Sequence, residues 1–190
     1  IYAASATELD TGAHGTTTDF DETTSASEFM GAVYGSVFFE AGFGPVFIGL
    51  DYVPSSLETE ESTTTVGDKT TAATSTQVTN KVKVEFNDLT TVYAGFRILD
   101  SVFVKAGAIS VDLDTKESLG TGSTYGNTSV DGAMIGIGAD KEMDNGMFIR
   151  VEAQYSEFDS VSLTSSSGSQ KITMDSLDGV VGKLSIGKTF

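Results

Sequence analysis

The sequence predicts an all-β fold, in which residues 1–190 form one domain, an eight-stranded antiparallel up-and-down β-barrel. Two observations support this prediction. Apolar and polar residues alternate along most of the chain, which is the period of a strand with one apolar and one polar face. The connections between the alternating segments are long and short in turn, as expected for antiparallel strands that run up and down a barrel.

The composition excludes several classes of protein. The chain has 27 acidic residues and only 11 lysines and arginines, so it lacks the clustered cations that bind nucleic acid. It has no cysteine, which excludes disulfide scaffolds and cysteine-ligated metal centres. No run of 18 or more apolar residues occurs in the sequence, so a membrane-spanning helix is excluded as well.

The first four strands are predicted at residues 1–10, 29–40, 46–53 and 81–97. The first contains mostly small residues and is the weakest, and closure of the barrel depends on it. The second places Phe29, Val33, Val37 and Phe39 on one face. The third sets Ile48 and Leu50 opposite Asp51. The fourth has a single alternation, with one face formed by Val82, Val84, Phe86, Val92, Ala94 and Phe96.

The last four strands are predicted at residues 102–113, 130–140, 147–158 and 171–190. Alternation is less clear in the fifth, where Lys105 lies among small apolar residues. The other three have apolar faces formed by Ala133, Ile135 and Ile137, by Ile149, Val151, Ala153 and Tyr155, and by Val180, Leu184, Ile186 and Phe190. Apolar and polar faces are therefore predicted for each.

Short turns join these strands at residues 41–45, 98–101 and 143–146, and glycine, proline, asparagine and aspartate indicate the turns. Long polar loops rich in serine, threonine and acidic residues are predicted at 11–26, 54–80, 116–128 and 160–170. With an even number of strands, both chain ends lie on the side of the short turns.

Aromatic residues indicate that the apolar face meets a lipid bilayer. Phe39, Phe96 and Phe190 are predicted at the short-turn ends of that face, and Tyr52, Phe86 and Tyr155 at its long-loop ends. Two aromatic girdles that flank an aliphatic band are typical of membrane barrels. The expected fold is therefore a transmembrane barrel.

Charged residues within the strands are predicted to line the lumen. They are Asp51, Lys83, Glu85, Arg97, Lys105, Arg150, Glu152 and Lys183. Eight strands enclose a lumen that side chains can fill, and charges buried there need partners. The alternative is that these charges form the solvated outer face of a soluble barrel. We favour the lumen because soluble surfaces seldom confine lysine so strictly to strands while the loops are acidic.

The C-terminal segment KITMDSLDGVVGKLSIGKTF resembles the closing strand of bacterial outer-membrane barrels, since aliphatic residues alternate behind the terminal Phe190. In size and loop rhythm the chain is similar to the small outer-membrane β-barrel family that includes the OmpA transmembrane domain and OmpX. The resemblance implies an integral outer-membrane protein in contact with lipid and lipopolysaccharide, with long external loops and short periplasmic turns. It also implies that Phe190 is part of the signal read by the barrel-assembly machinery. Because the sequence begins at Ile1 without a methionine, we expect that a secretory signal peptide has been removed.

The expected function is structural and interactive rather than enzymatic: the barrel anchors acidic external loops that contact other cells, a surface layer, an extracellular protein or phage. Three alternatives remain, namely a narrow channel, a lipid-modifying enzyme that uses His14, and a soluble lipid-carrying barrel. A filled lumen disfavours the channel. His14 has no recognisable nucleophile or oxyanion motif, which disfavours the enzyme.

No cofactor or metal is predicted. The glycines of segments 120–126 and 136–138 lack the strand–loop–helix context of phosphate-binding loops. The acidic cluster at residues 18–22 has oxygen ligands suited to Ca²⁺, but we interpret it as a solvated loop.

Overall fold

The computed structural model describes residues 2–11, 21–58, 61–71, 74–118, 124–166 and 170–190. Twelve strands and no helix are present in these parts of the chain, and none of them contains a helix long and apolar enough to cross a membrane. The strands are β1 (Tyr2–Thr11), β2 (Asp21–Met30), β3 (Val37–Phe43), β4 (Val46–Val53), β5 (Leu57–Glu58), β6 (Ser62–Thr71), β7 (Thr74–Leu99), β8 (Val102–Ser118), β9 (Thr128–Glu142), β10 (Met147–Phe158), β11 (Val161–Thr164) and β12 (Gln170–Lys188).

These strands form one antiparallel sheet in the order β2-β1-β12-β10-β9-β8-β7-β4-β3. Short strands β5 and β6 pair with β7, and β11 pairs with β12. Because several strands are parts of the same pass of the chain, the sheet is seven to eight strands wide. The all-β prediction and the antiparallel arrangement are confirmed.

Closure of the barrel was predicted wrongly. The two ends of the strand order are β2 and β3, and residues 31–36 join them without belonging to a strand. Strand β1 lies between β2 and β12, but its pairing with them begins at Tyr2, opposite Met30 and Gly179. Below that level the described residues contain no strand between β3 and β12, so the sheet is not closed into a barrel.

The predicted strand bounds hold best next to the short turns. Strands β4 and β10 have the bounds expected from the sequence. The predicted long loop at 54–80 is wrong for most of its described residues, because β5, β6 and the start of β7 lie there. Strands also extend into the other predicted loops, as β2, the end of β8 and β11 show. The short-turn prediction at 41–45 was too long, because β3 ends at Phe43 and β4 begins at Val46.

A register shift in β7 reverses the faces of that strand. Asn87 pairs with Asp112 and Thr90 with Ser110, so two residues of β7, Asp88 and Leu89, lie opposite one residue of β8. This is a β-bulge, and Asp88 has a positive φ of 52°. A second shift lies in β12, where Met174 and Ser176 pair with adjacent residues of β1.

The sheet is curled, and its inner face carries two buried clusters. The cluster on the long-loop side, which we call the upper core, is aliphatic except for one phenylalanine: Val53, Leu89, Ile109, Val111, Leu113, Val130, Phe158 and Leu177. The cluster nearer the short turns, the lower aromatic cluster, contains Phe47, Tyr93, Phe103 and Met134. The charged side chains described next lie beside the lower aromatic cluster.

Candidate functional site

The inner face holds a network of four acidic and four basic side chains. Its members come from β3, β4, β7, β8, β9, β10 and β12, and we call it the inner charge network: Glu40, Asp51, Arg97, Lys105, Asp140, Arg150, Glu152 and Lys183. Each lies on a strand whose alternation directs it inward while its neighbours point outward. With four charges of each sign, the network is neutral.

Arg150 is the centre of the network. Its guanidinium donates to both carboxylate oxygens of Glu40, at 2.6 and 2.8 Å, and to Asp140 Oδ2 at 3.0 Å. Arg97 donates to both oxygens of the same Asp140, at 2.9 and 3.0 Å. Paired geometry of this kind gives the strongest hydrogen bonds between arginine and carboxylate. Because Glu40 lies on β3 and Arg150 on β10, the contact joins two distant parts of the sheet across its inner face.

Lysines complete the network. Lys105 and Glu152 form an ion pair with an N–O distance of 2.6 Å between side chains that are 1% and 2% exposed. Lys183 of β12 contacts Asp51 of β4, again across the inner face. The Lys105 ammonium also lies 4.5 Å from the centre of the Tyr93 ring, a favourable arrangement of a cation on an aromatic face.

Aromatic rings close the short-turn end of this network. The Arg150 guanidinium lies 4.6 Å from the centre of the Phe103 ring and 5.1 Å from that of Phe148. Four inner rings also cover the glycine directly opposite them on a neighbouring strand: Phe47 covers Gly95, Tyr93 covers Gly49, Phe103 covers Gly138 and Phe148 covers Gly187. A Cβ at any of these glycines would lie within 2.4 Å of the ring. The glycines therefore make room for the rings that fill the inner face.

The outer face of the same strands is apolar. Its exposed side chains, which we call the outer apolar band, include Val37, Phe39, Phe43, Val46, Ile48, Leu50, Val92, Phe96, Val104, Ile135, Ile137, Ile149, Val151, Val180, Leu184 and Ile186. Leu184 is 77% exposed and Phe39 is 71% exposed. Isolated exposed apolar side chains are ordinary, but a continuous band across seven strands is not.

Two tyrosines mark the upper edge of the band. The hydroxyl of Tyr52 donates to Asp88, and that of Tyr155 donates to Asp178 at 3.1 Å. Above these tyrosines the arrangement of polarity reverses. The inner face there is formed by the apolar upper core, and the outward positions on β8, β9 and β10 are occupied by Asp112, Asp131 and Glu157, all exposed.

Lys83, Glu85 and Phe86 lie differently from the sequence prediction. Phe86 and Val84 pack against the upper core, so by alternation Lys83 and Glu85 are on the opposite, outer face. Lys83 pairs with Glu58, and Glu85 with Lys116 at 3.5 Å. Their assignment to the lumen, and that of Phe86 to the outward girdle, are therefore corrected. The bulge at Asp88 is the physical reason.

The Lys83–Glu58 contact lies beyond the outer apolar band. The hydrogen bond to Glu58 raises the pKa of the Lys83 ammonium above its ordinary value. Both side chains remain substantially exposed, so solvent screens the pair and its contribution to stability is small.

The other predicted site residues lie as follows. Asp51, Lys105, Arg150 and Glu152 are buried, and Arg97 and Lys183 are partly buried. The five remaining girdle residues, Phe39, Tyr52, Phe96, Tyr155 and Phe190, are exposed. Phe190 follows the end of β12, and its ring lies 5.6 Å from the Lys188 ammonium. Its role in assembly stays a prediction. His14 and most of the acidic cluster at 18–22 lie outside the described residues.

Sequence reasoning missed Glu40 and Asp140. Each follows an outward residue, Phe39 or Ala139, at the short-turn end of its strand. The same alternation that selected the other members therefore predicts them on the inner face. The described residues contain no group of three or more histidine, cysteine, aspartate or glutamate side chains arranged to hold a metal ion.

Comparison of the chain with models of known protein families finds no match, and comparison with curated proteins finds none either.

Proposed function

We propose that this chain is an integral outer-membrane β-barrel protein that anchors acidic external loops at a bacterial cell surface. The observation that carries the proposal is the reversal of polarity at Tyr52 and Tyr155. Below them charges face inward and aliphatic side chains face outward; above them the reverse holds. An apolar outer band is unfavourable on a barrel surrounded by water, whereas the hydrocarbon core of a bilayer requires one.

The height of the band fits a bilayer. On β10 the outward apolar positions run from Met147 to Tyr155, which is about 26 Å of strand at a rise of roughly 3.3 Å per residue. At a strand tilt of about 40°, this corresponds to about 20 Å along the membrane normal, comparable with the apolar height of about 25 Å in outer-membrane barrels. Tyrosine is suited to the edge of such a band, because its ring is apolar and its hydroxyl remains solvated.

The proposed role is structural and interactive. Described outward positions above the tyrosines carry many carboxylates and hydroxyls, and the chain has a net charge of −16. Such a surface suits contacts with lipopolysaccharide through bridging cations, or with a basic partner on another protein, cell or phage. Contacts with the barrel-assembly machinery through Phe190 belong to the same proposal.

The inner face argues against an open channel. Rings and paired charges fill it at the short-turn end, and the upper core fills it at the other. Between them lies a cavity of only about 20 Å³, lined by Asp51, Thr91, Gln154 and Lys183 among others. This is room for about one water molecule. We expect no stable single-channel steps in planar bilayers.

Lipid exposure can be measured directly because the chain contains no tryptophan. Val151 and Glu157 lie on the same face of β10, below and above Tyr155. The Val151→Trp variant, refolded into vesicles with bromine-labelled acyl chains, should lose most of its fluorescence. The Glu157→Trp variant is the matched control, and its fluorescence should persist.

Equal quenching of the two variants, or none of either, would contradict the proposal. Recovery of folded protein in the aqueous phase without detergent would favour the soluble lipid-carrying barrel instead. Heat-dependent gel mobility in detergent is the supporting observation expected of a membrane barrel.

A further inference from the structure

The sheet has a gap with two strand edges facing it. Among the described residues, β3 pairs only with β4, and residues Val181–Lys188 of β12 pair only with β10. An unpaired edge presents backbone N–H and C=O groups that need partners. In a bilayer each unsatisfied group costs several kcal/mol, so the gap must be filled if the proposed function holds.

The gap is the direct continuation of the position that β1 occupies. Strand β1 runs antiparallel to both β2 and β12, and Tyr2 pairs with Met30 on one side and Gly179 on the other. From that level β12 continues to Lys188, and the chain of β2 continues through residues 31–36 into β3. A strand that continued β1 in the same register would therefore lie between the two edges.

Contacts across the inner face hold the two sides of the gap. Lys183 of β12 pairs with Asp51 of β4, and Arg150 of β10 pairs with Glu40 of β3. The rings of Phe38 on β3 and Phe148 on β10 also meet edge to face, with centroids 6.1 Å apart. The gap therefore has fixed sides rather than free strand ends.

We propose that this gap is a binding site for one β-strand, and that its occupant is a segment of the same polypeptide joined to the amino-terminal side of β1. The assignment depends on the register of β1 and on the two edges, and it extends the proposed function by completing the barrel.

The edges define the chemistry of the occupant. At inward positions it meets Ser185, whose hydroxyl is buried and has no hydrogen-bond partner, so small or hydroxyl-bearing side chains fit there. At outward positions it lies beside Leu184 and Ile186, which are 77% and 65% exposed, so aliphatic side chains fit there. Eight residues with this alternation match Val181–Lys188 in length.

The test adds strand-forming residues before Ile1 and measures amide hydrogen exchange in Val181–Lys188. An extension with the stated alternation should slow exchange of the edge amides at least tenfold. The same extension shifted by one residue reverses its faces, and a glycine–serine extension of equal length lacks strand propensity. Both are matched controls and should leave exchange unchanged.

Cysteine pairs test the geometry, because the chain has no cysteine of its own. In the proposed register, the residue six positions before Ile1 lies opposite Val37 and Ile186. A cysteine there should form disulfides with Val37→Cys or with Ile186→Cys. In the chain without an extension, the Val37→Cys/Ile186→Cys double variant should remain reduced.

Three results would overturn the inference. They are a disulfide between positions 37 and 186 without the extension, association of two copies through these edges, and equal exchange with all three extensions. Since exchange and cross-linking do not depend on bromine quenching, this inference and the membrane proposal can fail separately.

Discussion

The side chain of Lys105 crosses Gly136 to reach Glu152, and this contact explains why a glycine lies there. Lys105 pairs with Gly136 in the β8–β9 ladder, and a Cβ on that glycine would lie 3.2 Å from Lys105 Cε. The charges then meet at 2.6 Å, almost completely excluded from solvent. The absence of a side chain at Gly136 of β9 therefore allows Lys105 of β8 to reach Glu152 of β10 across the strand between them.

Breaking this pair should destabilise the fold strongly. Lys105→Met leaves the Glu152 carboxylate buried without its partner, and we expect a loss of about 3–5 kcal/mol in the free energy of unfolding. Urea titration followed by circular dichroism measures the loss. Replacing both residues together, Lys105→Met with Glu152→Leu, should restore most of the stability. The exposed pair Lys81–Glu61 is the control, and its removal should cost less than about 1 kcal/mol.

A charge in the outer apolar band should be costly only if lipid covers the band. Ile137 is 54% exposed and lies between Ile135 and Ala139 on the outer face of β9. In lipid vesicles, Ile137→Lys should destabilise the protein by about 2–4 kcal/mol, and Met143→Lys at the short-turn end by about 0–1 kcal/mol. Equal stability of both variants and the parent protein would indicate that water covers the band.

Packing of rings on glycines predicts a contrast between two glycine substitutions. A Cβ at Gly138 would lie 2.4 Å from the Phe103 ring, whereas a Cβ at Gly182 meets nothing within 4 Å. Gly138→Ala should therefore cost about 1–3 kcal/mol through overpacking. Gly182→Ala should be neutral or slightly stabilising, because alanine restricts the unfolded chain. If the order of stability were reversed, the ring would not cover Gly138.

The bulge in β7 predicts which substitutions are tolerated at Asp88. Its φ of 52° is a conformation that asparagine and aspartate adopt more readily than other residues with a side chain. Asp88→Asn should change the free energy of unfolding by less than about 0.5 kcal/mol, because it keeps an acceptor for Tyr52. Asp88→Val should cost about 1–2 kcal/mol. Similar unfolding midpoints for the two variants would argue against the positive φ.

Alkaline titration tests the exposed Lys83–Glu58 pair. The pKa of Lys83 is higher in the folded chain than its ordinary value of 10.5. Its stabilising contribution is therefore fully present below that pH and is lost as the pH rises through the folded-state pKa. The stability difference between the parent protein and Lys83→Met should be small and constant from pH 7 to 9, and should vanish at the alkaline end. A difference that grows with pH would contradict this assignment.

The sequence predicted the strands of the short-turn side well because both turn residues and alternation are strong signals there. Strands β4 and β10 are examples. It predicted the partners of Arg150 less well, because pairing across the inner face depends on the curl of the sheet rather than on neighbours in sequence. Glu40 is 110 positions from Arg150, and no local pattern connects them.

The sequence pattern did not predict the bulge at Asp88, for a different reason. Val84 and Phe86 lie inward above it, and Val92 and Phe96 outward below it, yet all four occupy even positions. At the bulge the even-numbered residues change from the inner to the outer face, and the apolar side chains change from the inner to the outer face at the same point. The alternation of apolar and polar residues in the sequence therefore continues without interruption. Only the Asn87–Asp88 dipeptide, which is unusual within a strand, indicates the change.

Along the single strand β7, therefore, apolar side chains face inward on one side of the bulge and outward on the other. Under the proposed function, the position of the extra residue in β7 determines where the membrane boundary lies on this strand, and therefore how deeply the protein is inserted. Moving that residue by two positions along the strand would raise or lower the boundary there by about 5 Å, given a rise of roughly 3.3 Å per residue and the tilt of the strands. Related chains adapted to thicker or thinner membranes would then differ in where this residue stands, while their patterns of apolar residues look alike.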